Sequence, residues 1–168
     1  MPFTPLHLGP ALAVGLPLRR WLHAPTFIVA NVILDVEPLA VMVFGLNNPL
    51  HGILHTFLLA TAVGLLLGFV MFKLEKPMQL LYRKIQLETN RSLKLQSFLL
   101  AGVFGTALHV VFDALLYSEM TPFFPLTINP LLTFHTSMLE VYLVCVWLGV
   151  FGIAYYGVLI AYSLYKKR

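Results

Sequence analysis

Residues 51–72 read HGILHTFLLATAVGLLLGFVMF, and from residue 52 onward this stretch holds no Asp, Glu, Lys or Arg. Crossing a hydrocarbon core about 30 Å thick takes roughly 20 helical residues, so the run is long and apolar enough to span a membrane. His51 and His55, one helical turn apart at its start, are out of place in such a run unless something engages them. Both the fold and the chemistry of the chain turn on that pair.

Working outward, apolar segments recur at about 8–18, 25–46, 95–117 and 139–165. The last two match 51–72 in length and polarity. Segment 25–46 is long enough but contains Asp35, Glu37 and Pro38, and segment 8–18 is short and interrupted by Gly9, Pro10, Gly15 and Pro17. The expectation is an all-α, polytopic membrane helical bundle with four to five transmembrane helices, folded as a single integral membrane domain over 1–168.

Composition excludes the alternatives. Of 168 residues 59% are hydrophobic and only 11% charged, with a mean hydropathy of +0.85. A soluble domain carries about a quarter charged residues, so too few charges are present to coat a water-facing surface. The single cysteine, Cys145, admits neither an intrachain disulfide nor a Cys-pair metal motif, and its apolar setting fits a buried, inert thiol. No basic residue precedes the first apolar stretch, which argues against a cleaved signal peptide.

Much of the positive charge is concentrated in residues 73–94, where Lys73, Lys76, Arg83, Lys84, Arg91 and Lys94 face only Glu75 and Glu88. Leu74, Met78, Leu81 and Ile85 fall on one helical face there, as in an interfacial amphipathic helix whose partners are anionic lipid headgroups. Nucleic acid is not expected, because the aromatic interleaving of a stacking platform is missing. Lys and Arg otherwise occur only at 19–20 and 166–168. With five crossings they alternate between the two sides, which predicts a multi-pass protein of the cytoplasmic membrane with the N-terminus outside and the C-terminus inside.

On that topology the ionisable residues gather at similar depth. His51/His55 and His109/Asp113 are i, i+4 pairs, each able to project from one helix face and grip one ion. His7 begins the first segment. Asp35 and Glu37 are two apart, but Pro38 disfavours helix at Glu37 and frees the Leu34 carbonyl, so a break there can turn both carboxylates inward. Imidazole with carboxylate suits zinc, or else manganese or iron, better than calcium. The candidate metal set is therefore His7, Asp35, Glu37, His51, His55, His109 and Asp113, enough for one or two divalent ions. His23 reads as interfacial, beside the basic residues. His135 and Glu140 are five apart, about 140° around a helix, and fall outside the set.

With these residues in hand, the chain resembles the YdjM-related family of membrane-bound metal-dependent hydrolases. The likeness runs through MPFTPLHLG, LDVEP, HGILHT, HVVFDALL and MTPFFPL. The family's N-terminal His, acidic pair, paired-His segment ending in His-Thr, and H-x-x-x-D correspond to His7, Asp35 with Glu37, His51 with His55 and Thr56, and His109 with Asp113. Two departures stand out: Gly52 occupies a position where the family commonly has Arg, and Glu37 one where Asp is frequent. The H-x-x-x-D element is also similar to that of zinc-dependent phospholipase C enzymes. The resemblance implies a hydrolase in which metal-activated water attacks an ester or phosphoester, a lipid among the candidates, near the outer leaflet, with Asp35 or Glu37 as the catalytic base. The alternative from the residues alone is a small transporter, or a proton- or metal-ion-binding protein, using the same cluster.

Overall fold

The computed structural model describes residues 5–87, 93–134 and 137–166. Among these the chain is all-helical, with no strand. Six α-helices follow in order: α1 (Leu8–Gly15), α2 (Ala24–Ile33), α3 (Val36–Phe44), α4 (Phe57–Lys84), α5 (Leu95–Ala114) and α6 (Met138–Lys166). Short 3-10 turns at Pro5–His7, Pro17–Arg20, Ile53–His55 and Pro130–Phe134 sit between or beside them.

Four elements are long and apolar enough to cross a membrane: Ala24–Phe44, which joins α2 to α3, then α4, α5 and α6. The chain is thus a helical bundle with four candidate membrane spans. Segment 8–18 is not among them by length, since α1 has eight residues and rises only about 12 Å, but with its flanking 3-10 turns it runs from the histidine end of the bundle towards the basic end. The helix expected at 73–94 begins as the continuation of α4. Residues 73–84 carry on from the apolar run without a break, and Leu74 and Leu81 stay exposed. Residues 88–92 of that stretch lie outside the described residues.

The break in the second span follows from its sequence. Pro38 cannot donate to the Leu34 carbonyl, and the chain tightens instead: Asp35 N donates to Val32 O (3.1 Å) and Glu37 N to Leu34 O (3.0 Å). Asp35 is left at the N-cap of α3, yet its side chain makes no capping bond. It is free to point inward and is 2% exposed.

Small residues set the packing. On α4 and α5, Gly64 and Gly102 meet backbone to backbone: a Cβ on Gly102 would lie 1.9 Å from the Gly64 carbonyl oxygen. Such close approach is how helices associate where lipid removes the hydrophobic drive between them. Thr106 ties the same pair by donating its hydroxyl to Ala60 O at 2.8 Å. On the other flank Gly9 of α1 abuts the Cys145 backbone of α6.

The bundle has two distinct ends. At one, Leu34, Ala60, Val110, Ala114 and Met120 form an apolar cluster next to the histidines. At the other, Tyr82, Leu93 and Phe98 pack together near the basic residues Arg83, Lys84 and Lys94. His23 belongs to this second end. It lies at the basic end, beside the basic pair, where it is 4% exposed and stacks on Phe98 at 4.0 Å. Helix α6 leans on α1 and leaves large side chains such as Trp147 and Ile153 on an open outer face, as expected of a helix bordered by lipid.

Candidate metal centre

Six of the seven expected ligands converge at the first end, each held by a different local device. His7 comes from the turn before α1, and Asp35 from the break between α2 and α3. His109 and Asp113 lie one turn apart on α5, as their spacing predicted. His51 and His55 also point to the site, but not from one face of a regular helix. Thr56 is extended (φ −103, ψ 146) and N-caps α4 with its hydroxyl, accepting from Leu59 N at 3.2 Å. That cap ends the helix one residue after His55, and leaves the pair in a bend and a 3-10 turn.

All six are buried. Two groups form around one shared residue: His7, Asp35, His109 and Asp113 make one, and His51, His55 and Asp113 the other. Within each group, one potential ligand atom per residue can be chosen so that all lie within 4.8 Å of one another. Asp113 Oδ1 stands 3.1 Å from His7 Nε2. Asp113 Oδ2 stands 3.1 Å from His109 Nε2, 3.7 Å from His55 Nε2 and 3.9 Å from His51 Nε2. Asp35 Oδ1 is 3.7 Å from His109 Nε2. For comparison, two ligands on one tetrahedral ion with bonds of about 2.1 Å stand about 3.4 Å apart.

The ring orientations decide what the cluster is suited to. His109 Nδ1 donates to the Asn31 carbonyl at 2.8 Å, so in the neutral ring Nε2 carries the lone pair. His55 Nδ1 donates to Glu37 Oε2 at 2.8 Å, with the same result. These two Nε2 atoms then face each other at 3.3 Å, lone pair towards lone pair. A cation between them relieves that repulsion. His51 follows the pattern, its Nδ1 donating to Glu119 Oε1 at 2.9 Å and its ring stacked on Tyr117 at 3.9 Å. Engaging the far ring nitrogen of a ligating histidine with a carboxylate or carbonyl is the usual way a metal site fixes its imidazoles. The remaining polar atoms agree: His7 Nδ1, Asp35 Oδ2 and Asp113 Oδ2 are buried with no hydrogen-bond partner among the described residues. The cluster could therefore hold a metal ion. No family model, curated protein or solved structure matches the chain.

Glu37 stands one step back from the cluster. Besides His55, both its oxygens accept from Leu54 N at 3.2 Å, and it belongs to neither group. Gly52 makes room for it, since a Cβ there would lie 2.7 Å from Glu37 Oε1. Gly52 thus has a packing role in this chain.

Three supports were not read from the sequence. Glu119 lies in the loop after α5, far from His51 in sequence; an uncompensated acid in an otherwise apolar loop was the available signal. The Asn31 carbonyl has no side-chain signature at all. Tyr117 resembles any interfacial aromatic. Burial holds the His51 imidazole below its ordinary value despite the Glu119 bond. Burial raises the Glu119 carboxyl, but the hydrogen bond from His51, a backbone hydrogen bond and nearby positive charge together outweigh it, and the net shift is downward. Tyr117 is pushed up, first by burial and then by the charge of Asp113. Glu140 caps α6 instead: Ser137 N donates to Glu140 Oε2 (2.7 Å) while Glu140 N donates to Ser137 Oγ (3.2 Å). His135 lies outside the described residues.

Proposed function

We propose that the protein is a membrane-embedded, metal-dependent hydrolase of esters or phosphoesters, in line with its resemblance to the YdjM-related family. The observation that carries this reading is the sharing of Asp113. It completes a four-residue group with His7, Asp35 and His109, and a three-residue group with His51 and His55. Four protein ligands close a tetrahedral site, whereas three leave a position for water or substrate, which is the arrangement of catalytic zinc. Two ions, zinc first and manganese or iron as alternatives, fit this donor set.

A bound divalent ion supplies the polarisation, lowering the pKa of water towards about 7 and drawing charge from a phosphoryl or carbonyl oxygen. The chain supplies the rest. His51, His55 and Asp113 hold the open position, and Glu119 and Glu37 lock the two imidazoles with Nε2 inward. The unpartnered Oδ2 of Asp35 takes the proton of the attacking water. The water oxygen bonds to phosphorus or carbon, the ester bond breaks, and the alcohol leaves with the proton. Glu37, spent on His55 and Leu54, serves as a positioning residue in this scheme.

The basic residues lie at the end away from the cluster, which supports a cytoplasmic basic end, a site towards the outer leaflet, and anionic lipid at 73–94. The second reading, a transporter or ion-binding protein, is favoured by the interrupted helix at Asp35, since broken helices carry many transport sites. Metal content of the detergent-purified protein, with turnover of phospholipid and bis(p-nitrophenyl) phosphate, separates the two. The hydrolase reading expects bound metal and turnover in the wild type, and loss of both in His55→Ala and Asp113→Ala. A metal-free wild type overturns the site, and bound metal with ion flux in liposomes but no turnover favours transport.

A further inference from the structure

The end of the bundle that holds the cluster carries almost no free charge. Residues 36–54 and 115–139 include no Lys or Arg, and their only acids are Glu37 and Glu119. Both acids are engaged by histidines, Glu37 by His55 and Glu119 by His51. What this end presents outward is apolar. Phe44, Leu46 and Ile53 before α4, and Phe124, Leu126 and Ile128 in the loop after α5, are exposed by between 48% and 74%. The two segments adjoin: Phe57 N donates to Pro122 O at 2.8 Å, and the Phe57 and Phe123 rings stand 5.1 Å apart. Asn129 ties the far side of the loop to α5 by donating to Ala114 O at 2.8 Å. The loop is thus pinned at both flanks with its apolar tip held outward.

The backbone of that tip also suits surroundings poor in water. Phe124 N donates to Thr121 O and Leu126 N to Phe123 O, each at 3.0 Å, and Pro122 and Pro125 have no N–H to leave unpaired. Depth points the same way. Helix α5 starts at Leu95 beside the basic residues, and at 1.5 Å per residue His109 and Asp113 lie about 21 and 27 Å along it. A hydrocarbon core about 30 Å thick that begins at the basic end therefore stops just beyond the cluster, at the level of the loop. Irregular backbone is excluded from the hydrocarbon itself but tolerated at its edge.

We propose that the loop after α5 and the segment 44–53 form an apolar rim seated in the lipid leaflet on the cluster's side, where acyl chains meet headgroups. Aromatic and aliphatic side chains at that boundary anchor a protein without spanning the bilayer. The layer next to the cluster is then headgroup and ester, in place of bulk water. The consequence for the substrate, an ester held at headgroup depth in the membrane, rests on the hydrolase reading. The seating of the rim does not.

The test reads position and chemistry separately. In a Cys145→Ala background, Phe124→Cys, Leu126→Cys and Ile128→Cys each carry a nitroxide spin label, with the protein in vesicles of phosphatidylethanolamine and phosphatidylglycerol. Power saturation compares collisions with oxygen, which enriches in lipid, against collisions with a water-soluble nickel chelate. The oxygen-to-nickel ratio at the three rim positions should exceed that of the free label in buffer at least threefold. A label at Ile153, on the exposed face of α6, reports that the protein is inserted and folded. Rim ratios equal to the buffer value overturn the seating. Dipolar broadening between rim labels, the mark of a second copy covering the loop, overturns it as well. In parallel, the double variant Leu126→Asp with Ile128→Asp should lower turnover of vesicle phospholipid at least tenfold while sparing bis(p-nitrophenyl) phosphate and bound metal. Equal effects on the two substrates overturn the consequence for the substrate. Immersed labels in a protein that turns over neither substrate overturn the hydrolase reading and leave the seating standing.

Discussion

Glu37 offers the sharpest test of how the centre is held. If it orients His55 and does not itself bind metal, its two substitutions should behave differently. Glu37→Ala removes both acceptors, the one for His55 Nδ1 at 2.8 Å and those for Leu54 N at 3.2 Å, and frees the ring to rotate. Loss of such an outer partner typically costs 10–100-fold in metal affinity, or about 1.4–2.7 kcal/mol. Glu37→Gln keeps a carbonyl oxygen within reach of Nδ1 and should cost less than about tenfold. Gly52→Ala, whose Cβ would meet Glu37 Oε1 at 2.7 Å, should move in the same direction without touching the carboxylate chemically. The assay is competition for zinc between the purified protein and a chromophoric chelator, with metal content as the cross-check. Were Glu37 a direct ligand, Gln would be as damaging as Ala. Equal losses in the two variants, or no loss in Glu37→Ala, would refute the reasoning.

Two further outcomes follow from the packing. Gly102→Ala places a Cβ 1.9 Å from the Gly64 carbonyl oxygen, where only backbone movement can relieve the contact. The variant should lose about 1–3 kcal/mol, read as a lowered melting temperature in detergent, and an unchanged melting temperature would show that α4 and α5 are not in backbone contact. His23 should make stability depend on pH, because burial lowers its pKa from 6.5 to about 4. Its Nδ1 accepts from Thr26 N and from the Thr26 hydroxyl; protonation abolishes the first bond and forces the second to reverse. The unfolded chain takes up a proton below pH 6.5 that the folded chain refuses until about pH 4. Stability should therefore fall by about 2 kcal/mol between pH 7 and pH 5. The pH slope of the melting temperature should flatten in His23→Ser, which keeps a capping oxygen, and an equal slope in both proteins would count against it.

Much of this architecture was legible because a membrane punishes ambiguity. An apolar run of 20 residues has few alternatives to a spanning helix, so α4, α5 and α6 announced themselves, and Pro38 marked the break that frees Asp35. The meeting of His7, Asp35, His51, His55, His109 and Asp113 was legible too, since ionisable groups in apolar surroundings need one another. Local geometry was less so. The spacing of His51 and His55 suits a helix face, yet Gly52 and the cap at Thr56 override it. Nor could spacing separate a ligand from its neighbour in Asp35-Val36-Glu37, because the turn at the break decides which carboxylate looks inward. Glu119 depends on a loop whose path no periodicity records. The burial of His23 was not legible for a related reason: Phe98 and Tyr82, which cover it, are distant in sequence.

The shared carboxylate of Asp113 also bears on how the protein is made. His7 leaves the ribosome first, while Asp113 is synthesised only after α4 and most of α5. Neither group can be completed before then, because both need Asp113. A half-made chain in the insertion machinery thus has histidines but no finished centre. Any metal capture by these groups must wait for α5 to dock, and any hydrolytic power for the bundle to assemble around it.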